Sequence, residues 1–409
     1  MPPSTSGLNA AALALVATRI VAALFSPENV LKRDQLLSTP LSSYTQLREG
    51  IFLFKHNIDP YSGGTFRHSP LLLALFSTIL PNSRTFASLL WTAFDLLGAW
   101  ALVSIWRARQ NVSHTSRDIL VAASYLLNPY VFLPTLALSS SSFQSSLTLL
   151  SVKYAAEGNA SLALFLLSIL LHIDLSTFIL LPPVLLLLIT GPRSHLASPH
   201  ALAANLLRII PHFCRYLLYT GILAIVSTSI TGGTRWIPQT WGATLTLPDL
   251  TPNTGLWWYF FTEMFDHFRP FFLMVFTLHL SIYAIPMCIK FQYDPLYATF
   301  LLLGVLGTFK AYPTLSDPGL FLSALSLFPE VYPYLRHQMV TALLHLHAAL
   351  LMPLFNYLWL STGTGNANFF YASTLVFACA NGAALIDAIW AGLRIAIGEE
   401  KEGYMVVQE

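Results

Sequence analysis

An apolar run as long as a bilayer is thick leaves a chain few folds to choose from, and this chain repeats that pattern from end to end. The runs predict helices at 8–25, 85–106, 118–137, 142–156, 160–173, 175–190, 211–231, 256–286, 295–309, 314–331, 338–360 and 370–393. Several fall short of the roughly 20 residues that cross a hydrocarbon core about 30 Å thick. Short or broken segments persist at membrane depth only behind other helices or around a water-filled cavity, so an enclosed cavity is expected. Only 10% of the 409 residues are charged and 55% are hydrophobic, whereas a globular domain carries about 25% charged residues. That composition excludes a soluble surface. The expected fold is an all-α polytopic membrane protein of about twelve transmembrane helices, forming one domain over residues 1–409.

Lys and Arg in short loops set orientation. Arg107, Arg109 and Arg117 crowd one connection, Arg193 and Arg208 lie in another, and Lys290, Arg336 and Arg394 mark three more. With twelve crossings all of them fall on the cytosolic side with both termini, provided that 71–80 dips into the interface instead of crossing. The first apolar run has no basic segment before it and holds Arg19 within it, so it is expected to act as an uncleaved insertion signal. The sequons Asn111-Val-Ser113 and Asn159-Ala-Ser161 fall on the cytosolic side and are expected to carry no glycan. The lumenal face receives the loops 26–84 and 232–255 and the turns near 310–317 and 361–369. Within the first of these loops, 44–56 has the pattern of an amphipathic helix lying on the membrane surface.

The remaining chemistry is sparse. A net charge of +2 without any Lys/Arg run offers nothing to a nucleic acid. Cys214, Cys288 and Cys379 fit no CxxC spacing and are expected as buried small hydrophobes. Glu263, Asp266 and His267 stand at i, i+3 and i+4, one face of a helix. They are too few for a closed zinc site, so helix stabilisation or a partner contact is the expected role. His345 and His347 are two apart, do not share a face, and read as structural. Trp236, Trp241, Trp257 and Trp258 fit an aromatic belt or the path of an acyl chain. No catalytic residue, metal or cofactor is expected.

Two resemblances are visible. Asn57-Ile-Asp-Pro-Tyr-Ser62 followed by Phe66-Arg-His-Ser-Pro70 resembles the first lumenal loop of endoplasmic-reticulum glycosyltransferases that use dolichol-phosphate sugars, which implies a glycosyltransferase-C-like scaffold. Those enzymes bear an acidic pair where this chain reads Pro40-Leu-Ser-Ser-Tyr44. Glu28, Asp34 and Glu49 are scattered, and Asp59 before a proline reads as a turn former. More specific is Leu247-Pro-Asp-Leu-Thr-Pro-Asn-Thr-Gly-Leu-Trp-Trp-Tyr-Phe-Phe-Thr-Glu-Met-Phe-Asp-His-Phe268. It resembles the signature of the U subunit of glycosylphosphatidylinositol (GPI) transamidase, phosphatidylinositol-glycan class U. Leu126-Leu-Asn-Pro-Tyr130, Phe309-Lys-Ala-Tyr-Pro-Thr314 and Asn366-Ala-Asn-Phe-Phe-Tyr-Ala372 fit the same family in order. The connection after Trp106 is short for the family and 140–235 diverges from it.

The resemblance implies a non-catalytic subunit of an endoplasmic-reticulum membrane complex that attaches GPI to protein C-termini. Class K would supply the cysteine protease, with class S, class T and the GPI-anchor-attachment subunit as further partners. It implies GPI-lipid recognition here, with Lys310 as a point charge for a phosphate and Asn366 and Asn368 offering amides to the glycan. A dolichol-phosphate-mannose-dependent mannosyltransferase of GPI-precursor synthesis is the alternative, weakened by the missing acidic pair. A secondary transporter would show duplicated halves, and none are visible.

Overall fold

The computed structural model describes residues 5–25, 36–80, 83–199, 206–398, 403, 406 and 407. Helices make up 74% of the structure, and no strand occurs among the described residues. A helix occupies each of the twelve predicted stretches. Five are long and apolar enough to cross a membrane: Arg84–Gln110, Leu206–Thr231, Arg269–Lys290, Gln338–Leu360 and Ala367–Ile397. Asp118–Leu126 and Pro129–Leu136, bent by 51°, make a sixth if taken as one span. The chain is a multi-pass membrane protein.

At the centre stands Pro295–Phe309, in which every residue from Pro295 to Thr308 is buried. A helix apolar all round must be covered all round, and Phe321, Phe328, Leu385 and Ala388 belong to the core that covers it. Close approach is built in: a Cβ on Gly307 would lie 2.9 Å from the backbone of Pro318. Ser141–Ala156 is nearly as buried and is rich in Ser and Thr. Its small hydroxyls satisfy themselves on neighbouring backbone, as with Ser146 to the Phe94 carbonyl (2.7 Å) and Ser151 to that of Ala163 (2.9 Å), which allows helices to pack tightly without orphaned polar atoms. Leu206–Thr231 and Gln338–Leu360 lie at the periphery, with most residues unburied.

Breaks follow sequence chemistry. At the 51° bend, Pro129 opens a new helix and the Asn128 side chain caps it, accepting from the Tyr130 N–H at 3.0 Å and donating to the Gly319 carbonyl at 3.1 Å. The predicted single helix 256–286 is in fact broken into Trp257–Thr262, a turn, and Arg269–Lys290. Pro270 starts the second piece, and Arg269 closes the turn on Asp266 (2.9 Å) and the Met264 carbonyl (2.8 Å). Glu263, Asp266 and His267 therefore do not share a helix face. The predicted 314–331 helix stops at Ala324 and continues as 3-10 turns because Pro329 and Pro333 interrupt it. Pro70–Ile79 has 10 residues, about half the rise needed to cross. Tyr44–Lys55 is helical and presses Tyr44, Leu47, Gly50 and Ile51 inward.

Cys288 is buried, but Cys214 and Cys379 are exposed on apolar helices, contrary to expectation; their helices put those faces outward, where the bilayer is the apolar surrounding. Glu28 and Asp34 lie outside the described residues; Glu49 is exposed.

Candidate functional site

The two ends of the bundle are each organised by a buried cation held between two carboxylates. At one end Arg109 makes a bidentate pair with Asp294 (3.0 and 2.9 Å) and reaches Glu330 (2.6 Å). Close by, Arg107 binds Asp118 (2.9 Å), Ser194 reaches Glu330 (3.4 Å) and Arg394 lies over Tyr334. The connections expected to share one side thus converge at one end. Asp294 also caps Pro295–Phe309, accepting from the Tyr297 N–H at 3.0 Å.

At the other end Lys310 terminates the same central helix. It is 7% exposed, and its ammonium donates to Asp174 (2.7 Å), Asp317 (2.7 Å) and Gln144 (3.3 Å). An ammonium has three N–H groups, so all are committed. Burial alone would push Lys310 down, but the two carboxylates outweigh it and hold the amine above the ordinary lysine range. Asp174 also caps the turn between Ala160–Ile173 and Leu175–Leu180, accepting from Ser176 N–H at 2.9 Å. Asp317 accepts from Thr314 N–H at 2.8 Å.

Loops remote in sequence close over this end. Arg67 binds Asp249 (2.9 Å) and Gln239, and the Asp249 N–H donates to the Tyr312 hydroxyl at 3.2 Å. Asp59 forms the expected turn, accepting from Tyr61 N–H at 2.9 Å, and meets Arg235 at 3.3 Å. His68, fully buried, has Nε2 2.9 Å from the Ser43 carbonyl, and burial lowers its pKa to about 4.

Asn366 and Asn368 are exposed at the start of Ala367–Ile397. The Asn366 side chain caps the helix, its Oδ1 accepting from Phe369 N–H at 3.2 Å, so that its amide N–H groups are not used by the cap. Asn368 accepts from the Tyr259 hydroxyl. The signature segment bridges both groups: Trp257 Nε1 donates to the Phe309 carbonyl (3.1 Å), next to Lys310, while Leu256 accepts from the Tyr371 hydroxyl (3.0 Å). Lys310 and the asparagines therefore share one end of the molecule, tied through 256–259, without touching each other.

Neither Gln144 nor Asp174 was a candidate from sequence, although Asp174 has the N-cap signature of an Asp before Leu-Ser-Thr. Arg19 and Asp95 form another buried ion pair, between the first helix and Arg84–Gln110, beneath a cation–π contact of Arg19 on Phe132 (4.4 Å). Among the described residues no group of three or more His, Cys, Asp or Glu side chains could hold a metal ion.

Residues 13–377 match the family of GPI transamidase subunit PIG-U. The chain belongs to that family. It is 36% identical over 390 residues to the GPI transamidase component GAB1 of Saccharomyces cerevisiae, with 94% of each chain covered. It is 32% identical over 365 residues to the GAB1 homolog of Schizosaccharomyces pombe (88% of this chain, 86% of the relative). With the human GPI-anchor transamidase component PIGU it shares 31% over 412 residues (93% and 92%). Family members are subunits of the GPI transamidase complex, and the signature segment 247–268 that carried the resemblance is the one bridging Lys310 to the asparagine turn.

Proposed function

We propose that this chain is a non-catalytic, lipid-recognising subunit of the GPI transamidase in the endoplasmic-reticulum membrane, and that its Lys310 end faces the lumen. It holds the GPI headgroup and orients the terminal amine for a catalytic cysteine on another chain, the class K protease, in a complex with class S, class T and the GPI-anchor-attachment subunit. Its contribution to rate is proximity and orientation.

The observation that carries this reading is the convergence of a charge and two exposed asparagines on one end of the bundle. Asn366 and Asn368 offer donors and acceptors at the surface, suited to sugar hydroxyls or ethanolamine phosphate. Lys310 lies at the same end with every donor occupied. A phosphate reaches it by displacing Asp317, whose side chain is 15% exposed against 3% for Asp174. The exchange of one anion for another keeps the buried ammonium paired throughout.

Capture of labelled GPI lipid by the purified complex tests the assignment. Lys310→Ala and the double variant Asn366→Ala/Asn368→Ala are expected to lose lipid while the complex still assembles. Asn366→Asp separates recognition from capping, because a carboxylate still caps the helix but lacks the amide N–H groups. Full lipid capture by Asn366→Asp and Asn368→Ala would reduce the turn to a helix cap and remove the asparagines from the site.

A further inference from the structure

Of the two peripheral helices, Leu206–Thr231 and Gln338–Leu360, only 11% of each apolar span is buried. In a bilayer such a face meets either acyl chains or a helix of another chain, and its polar groups tell the two apart. Leu206–Thr231 turns Leu217, Leu218, Ile222 and Ile225 outward, all aliphatic. Its outward Ser229 is answered inside the helix by the Ile225 carbonyl (2.9 Å). Acyl chains satisfy that face.

Gln338–Leu360 differs at one residue. His347 is exposed and stands about 14 Å along the helix from Gln338 and about 20 Å from Leu360. Both distances put it deep inside a hydrocarbon core about 30 Å thick. Its Nδ1 lies 2.8 Å from the Leu343 carbonyl. A carbonyl only accepts, so in the neutral ring Nδ1 carries the proton and Nε2 is an acceptor. No other hydrogen bond to His347 occurs among the described residues. Acyl chains offer no donor, and water is absent at that depth. His345 shows the arrangement such a ring adopts when it is met by a helix: turned inward, its Nε2 lies 3.1 Å from the side-chain amide of Asn381 on Ala367–Ile397.

The residues around His347 have the spacing of a helix-packing seam. Val340, Leu343, His347, Leu350, Leu354 and Tyr357 follow one another at intervals of three and four, and all are exposed. They form one stripe on the side of the helix away from the buried Ala348 and Met352. Two helices packed along such a stripe cross at about 20°, and one polar residue in the seam fixes their register.

We propose that this stripe is the docking face for one transmembrane helix of another subunit of the GPI transamidase complex, a helix whose hydroxyl or amide side chain donates to His347 Nε2 deep in the membrane. The acceptor selects the occupant. A lipid tail cannot donate to it. A second copy of this chain, related by a two-fold axis along the seam, would bring a second His347 to the same depth, acceptor against acceptor. The inference rests on membership of the complex and not on the lipid-binding reading, so either can fail without the other.

The test uses the intact complex in native membranes. A photo-crosslinking residue placed at Leu350, one turn from His347 on the stripe, is expected to form an adduct with another subunit. In the same background His347→Leu, which keeps an apolar seam and removes the acceptor, is expected to lower the yield of that adduct about threefold to tenfold for the loss of one interhelical hydrogen bond. His347→Gln restores an acceptor and is expected to recover most of the yield. The amount of this chain in the membrane is expected to be the same in both variants, which separates docking from folding. Adducts from position 350 only with lipid, or only with a second copy of this chain, would overturn the proposal. So would an undiminished adduct in His347→Leu.

Discussion

Arg109 and Lys310 occupy the two ends of the bundle, each buried and each clamped by two carboxylates, yet the clamps are built differently. The planar guanidinium of Arg109 grips Asp294 with two parallel bonds and still reaches Glu330. It joins segments 185 and 221 residues away. Such a fork is specific in geometry and tolerates no substitute. Lys310 is a point charge whose three donors go to three different residues, at 2.7, 2.7 and 3.3 Å. Any oxygen of suitable charge can take one of those places. The Arg109 fork is thus fixed in geometry, whereas the Lys310 clamp is where the proposed function places the lipid phosphate, at the same end as the exposed Asn366 and Asn368.

The contrast breaks most readily at Arg109. Arg109→Ala leaves Asp294 buried without its partner and is expected to cost about 3–5 kcal/mol, read as loss of thermal stability of the detergent-solubilised chain. Arg109→Lys should recover little of it, because an ammonium cannot reproduce the bidentate pair. Full rescue by lysine would show that the two clamps are equivalent and erase the distinction.

A pH dependence is built into the Lys310 end through His68. His68 has a pKa of about 4 in the folded chain against about 6.5 unfolded, since burial disfavours its charged form. Its Nδ1 is buried without a partner, so a proton added there has no acceptor. A depressed pKa means that the unfolded state binds the proton first, so the stabilisation is complete above about pH 6.5 and is lost as pH falls towards 4. The expected loss is roughly 3 kcal/mol, measured as a falling melting temperature that His68→Gln flattens. An unchanged pH profile in His68→Gln would place the acid sensitivity elsewhere.

Smaller still is the cap at Asn366. Asn366→Ala is expected to cost about 1 kcal/mol of stability and Asn366→Asp close to nothing, as read from thermal melts. Sidedness has its own check: neither Asn111 nor Asn159 should change mobility on endoglycosidase treatment, and glycosylation of either would reverse the two ends.

The helices were legible in the sequence because each is an apolar run, and the central one declares its start with Asp294-Pro295. Its neighbour at 256–286 reads as continuous in sequence but is broken in the structure. Apolar residues on both sides of Glu263–Arg269 mask the Arg269-Pro270 break, and with the helix interrupted Glu263, Asp266 and His267 share no face. Lys310, Asn366 and Asn368 stand out in sequence through the resemblance, in the stretches Phe309–Thr314 and Asn366–Ala372. Their surroundings do not. Gln144 is 166 residues from Lys310, and nothing local in either segment announces the other. Ion pairs closed by topology are invisible to periodicity, whereas caps such as Asp174 and Asp294 are local and readable.

The most direct test compares the two ends in one experiment: retention of labelled GPI lipid by complexes carrying Lys310→Ala or Asp317→Asn at one end, and Arg336→Glu or Arg107→Ala at the other. The account predicts loss of lipid in Lys310→Ala, altered capture in Asp317→Asn, and wild-type capture in both variants at the Arg109 end, with all four complexes assembled. Lipid capture unaffected by Lys310→Ala, or lost equally from both ends, would contradict it.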